Sequence, residues 1–123
     1  MRSVNSMDSK ELGKEGERLA VRFLGRKGYR IKERNYSSSL GEIDIVAWDK
    51  GTMVFVEVKT RRNNEYGYPQ DAVTRSKQQR MRKVALTYLK KSGWERDCRF
   101  DVVSILIDSE DKVAGIELIK DAF

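Results

Sequence analysis

Histidine is absent from this 123-residue chain, and its absence removes more chemistry than any other feature of the composition. Without an imidazole there is no Ser-His-Asp triad, no histidine-based nuclease chemistry and no zinc site of the usual Cys/His kind. Any catalysis must rest on Asp, Glu, Lys, Tyr or Arg. The single cysteine, Cys98, excludes an intrachain disulfide and suits a reducing compartment. Beside a β-branched run it reads as a small buried strand residue. No stretch approaches the ~18 apolar residues of a membrane span. The first seven residues, MRSVNSM, lack the apolar core of a signal peptide and read as a loose tail, so a cytoplasmic protein with no membrane contact is expected.

What is present is charge. Lys and Arg number 25 against 19 Asp and Glu, a formal charge of +6 and a pI near 9.5, which favours a polyanionic partner such as nucleic acid. The length suits one domain over residues 8–123, with room for a single core but not for two.

Asp8 followed by Glu11 resembles a capping box, and Leu12, Gly16, Leu19, Ala20, Phe23 and Leu24 form one stripe of a helix over residues 8–27. Gly28 closes it, residues 29–35 alternate as a first strand, and serines 37–39 make a polar loop. Residues 42–48 and 53–61 are two strands around the turn Lys50-Gly51. A loop over 62–74, holding the only proline, Pro69, leads to a second helix over 75–91. Its stripe is Met81, Val84, Ala85, Tyr88 and Leu89, with Lys77 and Gln78 on the same face one turn earlier. Ser92-Gly93 ends it, and strands over 99–107 and 113–119 follow. A helix between a hairpin and a further strand implies a mixed sheet of five strands with helices packed on it, an α/β sandwich.

The hairpin, GEIDIVAWDKGTMVFVEVKTR over 41–61, carries acids where an apolar face belongs. Period-2 alternation sets Glu42, Asp44, Val46 and Trp48 on one face and Ile43, Ile45 and Ala47 on the other. The Lys50-Gly51 turn then pairs Trp48 with Met53, Val46 with Phe55, Asp44 with Glu57 and Glu42 with Lys59. Directly opposed residues have Cβ atoms about 4.5 to 5.5 Å apart, where like charges destabilise a sheet. At that spacing the bare repulsion is roughly 3 kcal/mol at an effective dielectric near 20, which raises one carboxyl's pKa or is relieved by a bound cation. Oxygen-only ligands suit Mg²⁺ or Mn²⁺.

Asp44 in GEIDIV, with Glu57 and Lys59 in VFVEVK, resembles the D…(D/E)-x-K core of the restriction-endonuclease-like superfamily. With GKEGERLAVRFLGRKGY ahead and RFDVV behind, the chain resembles the small bacterial YraN, or UPF0102, family from about residue 10 to 107. That family is regarded as predicted endonucleases distantly related to archaeal Holliday-junction resolvases. The resemblance implies a restriction-endonuclease-like sandwich and metal-dependent hydrolysis of DNA, with branched or junction DNA as one substrate. It assigns Asp44 and Glu57 as motif acids, Lys59 as the motif lysine and Glu17 as the helix glutamate. Ile43 stands where the superfamily expects proline, and no QxxxY follows, since Gln78 precedes Arg82 by four residues.

In that chemistry Asp44 and Glu57 hold one Mg²⁺ with the main-chain carbonyl of Val58, and Glu17, which by spacing alone reads equally as a plain surface carboxylate, is a further ligand. Lys59 orients the attacking water or stabilises developing charge, and Glu42 steadies Lys59 or serves as an outer ligand. Lys77 and Gln78 reach toward the same site or simply snorkel from the core edge. Arg61, Arg62, Tyr66 and Tyr68 combine phosphate-binding cations with rings that stack on bases, and Arg75, Arg80, Arg82 and Lys83 extend the basic rim. Trp48 and Trp94 read as packing residues, and Asp101 as a structural strand-end acid. The competing expectations are a catalytically silent nucleic-acid-binding module and a small assembly protein. Action on a two-fold junction would call for a homodimer.

Overall fold

The Asp8 carboxylate caps the first helix by accepting from the Glu11 N–H at 2.8 Å, so α1 (Ser9–Arg26) begins where the capping signal places it. The computed structural model describes residues 7–62 and 73–123. Gly28, at φ 93°, turns the chain into β1 (Arg30–Ser38), which pairs antiparallel with β2 (Gly41–Asp49). Ser37 and Ser38 belong to this strand rather than to a loop. They pair with Glu42 and Gly41, because the tight Ser39-Leu40 turn carries the ladder further than serine's low strand propensity suggests. Lys50-Gly51 then joins β2 to β3 (Thr52–Arg62), with Lys50 in the left-handed region at φ 58°.

Thr74 caps α2 (Arg75–Ser92) by accepting from the Lys77 N–H, and Gly93 at φ 72° ends it. The helix carries the chain across to β4 (Cys98–Ile107), parallel to β3, and β5 (Val113–Ile119) returns antiparallel. The result is the expected α/β sandwich, one mixed sheet in the order β1-β2-β3-β4-β5 with a helix on each face. No helix among the described residues is long and apolar enough to cross a membrane.

One core was expected, and the sheet divides it into two. Leu12, Ala20 and Leu24 of α1 pack with Tyr29, Ile45, Ala47, Val54, Val56, Val103 and Ile105 on one face. Met81, Val84, Ala85 and Tyr88 of α2 pack with Ile43, Val46, Met53, Phe55, Phe100 and Val102 on the other. The central strands are apolar on both sides, which is what a parallel β-α-β crossover requires of them.

Two details set the approach of the helices. Gly16 lets α1 lie directly on β3, since a Cβ there would stand 1.8 Å from the Thr60 hydroxyl oxygen. Gly41, at φ 143°, lies under Arg80 and Val84 of α2, whose carbons a Cβ would meet at 3.2 to 3.4 Å. Met7, expected in the loose tail, is held: its N–H donates to Asp111 at 2.8 Å and its carbonyl accepts from Arg62 at 2.9 Å.

Cys98 is exposed rather than buried. It is the first residue of β4, two residues before Phe100 enters the core. Trp48 and Trp94 pack edge to face with centroids 4.7 Å apart.

Candidate active site

The β2–β3 ladder follows the register set by the turn, with Asp49 opposite Thr52, Trp48 opposite Met53 and Val46 opposite Phe55. It stops at Ile45 opposite Val56. Beyond that point the strict alternation of β2 breaks. Ile43 joins the α2-side cluster although Ile45 and Ala47 are in the α1-side one. Asp44 lies at the break, and its Oδ2 accepts the Val58 N–H at 2.8 Å, a side chain doing what a ladder carbonyl did one step earlier. Asn35 on the neighbouring strand is in the left-handed region at φ 53°, between the paired residues Arg34 and Tyr36.

The parted strands leave Asp44 and Glu57 facing two adjoining hollows. One, of about 240 Å³, is bordered by Gly41, Glu42, Lys77, Arg80 and Met81. The other, of about 370 Å³, is bordered by Ser9, Glu17, Val58, Lys59 and Thr60, and Lys77 reaches it too. Helix α1 thus contributes an acid from one face of the sheet, and α2 contributes cations from the other.

The electrostatics follow from burial. Glu57 is 4 % exposed, and desolvation pushes its carboxyl up to about 7, with the neighbouring Asp44 charge adding to the rise. Lys77 opposes it, with Nζ 2.5 Å from Glu57 Oε1. Asp44 is also raised by burial, and is held back by the Val58 N–H, by Lys77 and by the Glu57 carboxyl within hydrogen-bonding reach. Two carboxyls so placed share protons rather than both ionising freely. Glu17 is raised by partial burial and then by Asp44, while Asn35, its amide nitrogen turned toward α1, donates to both Glu17 oxygens at 3.1 Å.

Glu17, Asp44, Glu57, Val58 and Lys59 are therefore gathered around one opening. Lys77, weighed against simple snorkelling, is bonded to a motif acid. Gln78 is not: its amide donates to the Val73 carbonyl at 3.0 Å, bracing the entry to α2. The expected Glu42–Lys59 pair does not form, because the ladder ends before reaching it. Among the described residues neither makes an ion pair, and Glu42 adds its charge to the acids instead. Asn35 went unrecognised in the sequence; an asparagine's tolerance of the left-handed region was the one available signal.

Among the described residues the cations expected to form a basic rim lie at several places. Arg80 borders the α2-side hollow. Arg62 instead pairs with Asp111 at 2.5 Å, because alternation along β3 turns it to the other face, where Met7 and the β4–β5 turn meet. Arg61 borders a separate hollow with Ser104, Leu106 and Glu117. Arg82 lies over the rings of Phe100 and Phe123. Tyr66 and Tyr68 lie outside the described residues. Asp101 is structural as expected, fully buried and bonded to Tyr29 and Arg99.

The donor chemistry fits a hard divalent cation: the buried Glu57 carboxylate, the half-buried Asp44 carboxylate and the Val58 main chain offer oxygen donors at one site. In the present arrangement no three acids among the described residues stand close enough to hold a cation jointly, and one Glu57 oxygen is engaged by Lys77.

Residues 16–105 match the sequence profile described as the uncharacterised protein family UPF0102. A UPF0102 protein of Geotalea uraniireducens is 51 % identical over 124 aligned positions, covering 100 % of this chain and 97 % of the relative. Those of Moorella thermoacetica and Caldicellulosiruptor saccharolyticus are 46 % and 44 % identical, covering 96 % and 95 % of this chain and 99 % and 100 % of their own. The profile spans the Asp44, Glu57 and Lys59 set together with Glu17 and Lys77, and the chain belongs to the UPF0102 family.

Proposed function

We propose that this protein is a metal-dependent endonuclease that hydrolyses phosphodiester bonds in DNA. The observation that carries the proposal is the neighbouring pair of half-buried Asp44 and buried Glu57 at the parting of β2 and β3, with Glu17 and Lys59 at the same opening. A pure binding surface has no use for two desolvated acids of like charge, whereas a cation site does. A Mg²⁺ or Mn²⁺ bound there supplies Lewis acidity to the phosphate and lowers the pKa of water.

The chain's own groups do the rest. Asp44, Glu57 and the Val58 carbonyl provide oxygen donors, with Glu17 completing the acid set from α1. Asn35 orients Glu17. Lys59, without an ion-pair partner among the described residues, is available to orient the attacking water or to meet negative charge as it develops on the phosphate. Arg80 and the positive net charge draw the nucleic-acid backbone to the site. The charge and the lack of a membrane-spanning helix among the described residues suit a protein acting on cytoplasmic DNA.

The test is incubation with supercoiled, single-stranded and four-way-junction DNA in Mg²⁺ or Mn²⁺, beside the variants Asp44→Asn and Lys59→Ala. Cleavage by the wild type and a fall of at least 100-fold in both variants is expected. Undiminished cleavage in both would remove the site from consideration. Salt-sensitive binding without cleavage would instead identify a nucleic-acid-binding module. Preference for the four-way junction would come with a homodimer in light scattering, since two symmetric cuts need two sites.

A further inference from the structure

Lys77 is set where helix electrostatics disfavour it. It lies in the first turn of α2, a turn that contains no acid, and a cation there opposes the helix dipole. Its main-chain N–H is fixed by the Thr74 cap at 3.2 Å, and its side chain runs along the α2 face of the sheet to place Nζ 2.5 Å from Glu57 Oε1. The Glu57 side chain is only 5 % exposed while that of Lys77 is 41 % exposed, so a movable surface cation neutralises an immobile buried acid. Lys77 also borders both hollows together with Asp44 and Glu57, so a small swing of its four-carbon stem keeps it at the site. Lys59 leaves Glu57 to Lys77 and makes no ion pair of its own among the described residues, so the two lysines have separate tasks.

We infer that Lys77 is a built-in counter-cation for the Asp44–Glu57 pair that competes with the divalent cation for Glu57. When the divalent cation takes Glu57, the Lys77 ammonium is displaced from it but stays beside the opening, where the incoming phosphate offers a new partner. The two events are coupled because an ammonium and a divalent ion held on one carboxylate repel each other, and a doubly charged ion attracts the carboxylates twice as strongly at equal distance.

This inference rests on the metal-binding reading above, and a measurement on DNA-free protein separates the two. Mn²⁺ binding is titrated by calorimetry for the wild type, Lys77→Met, Lys77→Arg and Asp44→Asn, with thermal melts in EDTA and in Mn²⁺. Lys77→Met is expected to bind Mn²⁺ about 10-fold more tightly than the wild type, while Lys77→Arg stays within about 3-fold of it. The rise in melting temperature on adding Mn²⁺ is expected to be larger in Lys77→Met than in the wild type, because its metal-free state lacks the counter-cation. Equal or weaker Mn²⁺ binding by Lys77→Met, with the wild type binding and Asp44→Asn not, overturns the role of Lys77 and leaves the metal site standing. Absence of Mn²⁺ binding in the wild type and Lys77→Met alike overturns both. Loss of the Lys77 charge leaves buried Glu57 without a counter-cation, so the EDTA melt verifies that Lys77→Met is folded at the titration temperature, and Lys77→Gln, whose amide can still donate to Glu57, takes its place if it is not.

Discussion

Asp44 on β2 accepts the main-chain N–H of Val58 on β3 at 2.8 Å, just past the last ladder pair, so the residue that opens the site also closes the gap it makes. An asparagine retains a side-chain oxygen able to accept that bond but loses the charge that opposes Glu57. Asp44→Asn is therefore expected to abolish Mn²⁺ binding and cleavage while unfolding in urea at the same or a higher midpoint. Asp44→Ala leaves the Val58 N–H unmatched and is expected to be about 1 to 2 kcal/mol less stable than Asp44→Asn. Urea titrations in EDTA compare the two, and a destabilised Asp44→Asn would contradict the account.

The pH dependence of the metal-free protein follows from Glu57, whose carboxyl is raised from an ordinary 4.5 to about 7 by burial and by Asp44. A raised acid holds its proton longer in the folded state. Its contribution to stability is fully present below pH 4.5 and is lost as pH rises through about 7. At 1.36 kcal/mol per unit the loss is roughly 3 kcal/mol. Urea unfolding in EDTA across that range should show stability declining with pH, and Glu57→Gln should flatten the decline. An unchanged slope in Glu57→Gln would assign the titration elsewhere.

The helices, strands and register were legible because their signals are local. Asp8 and Thr74 cap helices, Gly28 and Gly93 end them, and Lys50-Gly51 fixes which residues of the hairpin face each other. That register also set Asp44 opposite Glu57; the ladder ends one step before that pair, and the two carboxyls meet at the break instead. What the pattern could not carry was its own interruption. Period-2 alternation assumes a continuous ladder, so it placed Ile43 with Ile45 and Glu42 with Lys59, and the strands part before either holds. Lys77 was ambiguous for a different reason: its spacing puts it on the buried face, but its partner lies 20 residues away on another element. Arg62 was likewise assigned to nucleic acid because nothing local announces Asp111 or Met7. Asp101 was legible as structural because strand-end acids commonly are; its partners Tyr29 and Arg99 were not.

Gly16 makes a prediction about positioning rather than chemistry. An alanine in the middle of α1 would improve helix propensity by about 1 kcal/mol, yet its Cβ would stand 1.8 Å from Thr60 Oγ1 and 3.0 Å from Thr60 Cβ. Overpacking of that kind costs about 1 to 3 kcal/mol and pushes the helix off β3. Gly16→Ala is expected to be destabilised and to bind Mn²⁺ more weakly, since Glu17 moves with the helix. Thr60→Ala in the same chain removes the hydroxyl in the way and should restore most of both. Full Mn²⁺ affinity in Gly16→Ala would separate Glu17 from the site.

The second buried acid gives the converse test, a charge whose loss of partner harms the fold but not the site. Asp101 is fully buried and accepts from Tyr29 Oη at 2.7 Å, from Arg99 Nε at 2.8 Å and from the Asp121 N–H at 3.0 Å. Arg99 bridges onward to Asp49 at 2.8 Å, so one guanidinium ties β4 to the turn end of the hairpin, away from the parted end that holds Asp44. Removing that cation leaves a carboxylate with no solvent and no counter-charge, a change that costs about 3 to 5 kcal/mol. A lysine restores the charge but not the planar fork that serves two acids at once, and Arg99→Lys is expected to recover only part of the loss. At temperatures where Arg99→Lys is folded, its Mn²⁺ affinity should equal that of the wild type. A loss of Mn²⁺ binding without a loss of stability would place Arg99 and Asp101 in the site instead, because a tether acting only on the fold cannot separate the two measurements.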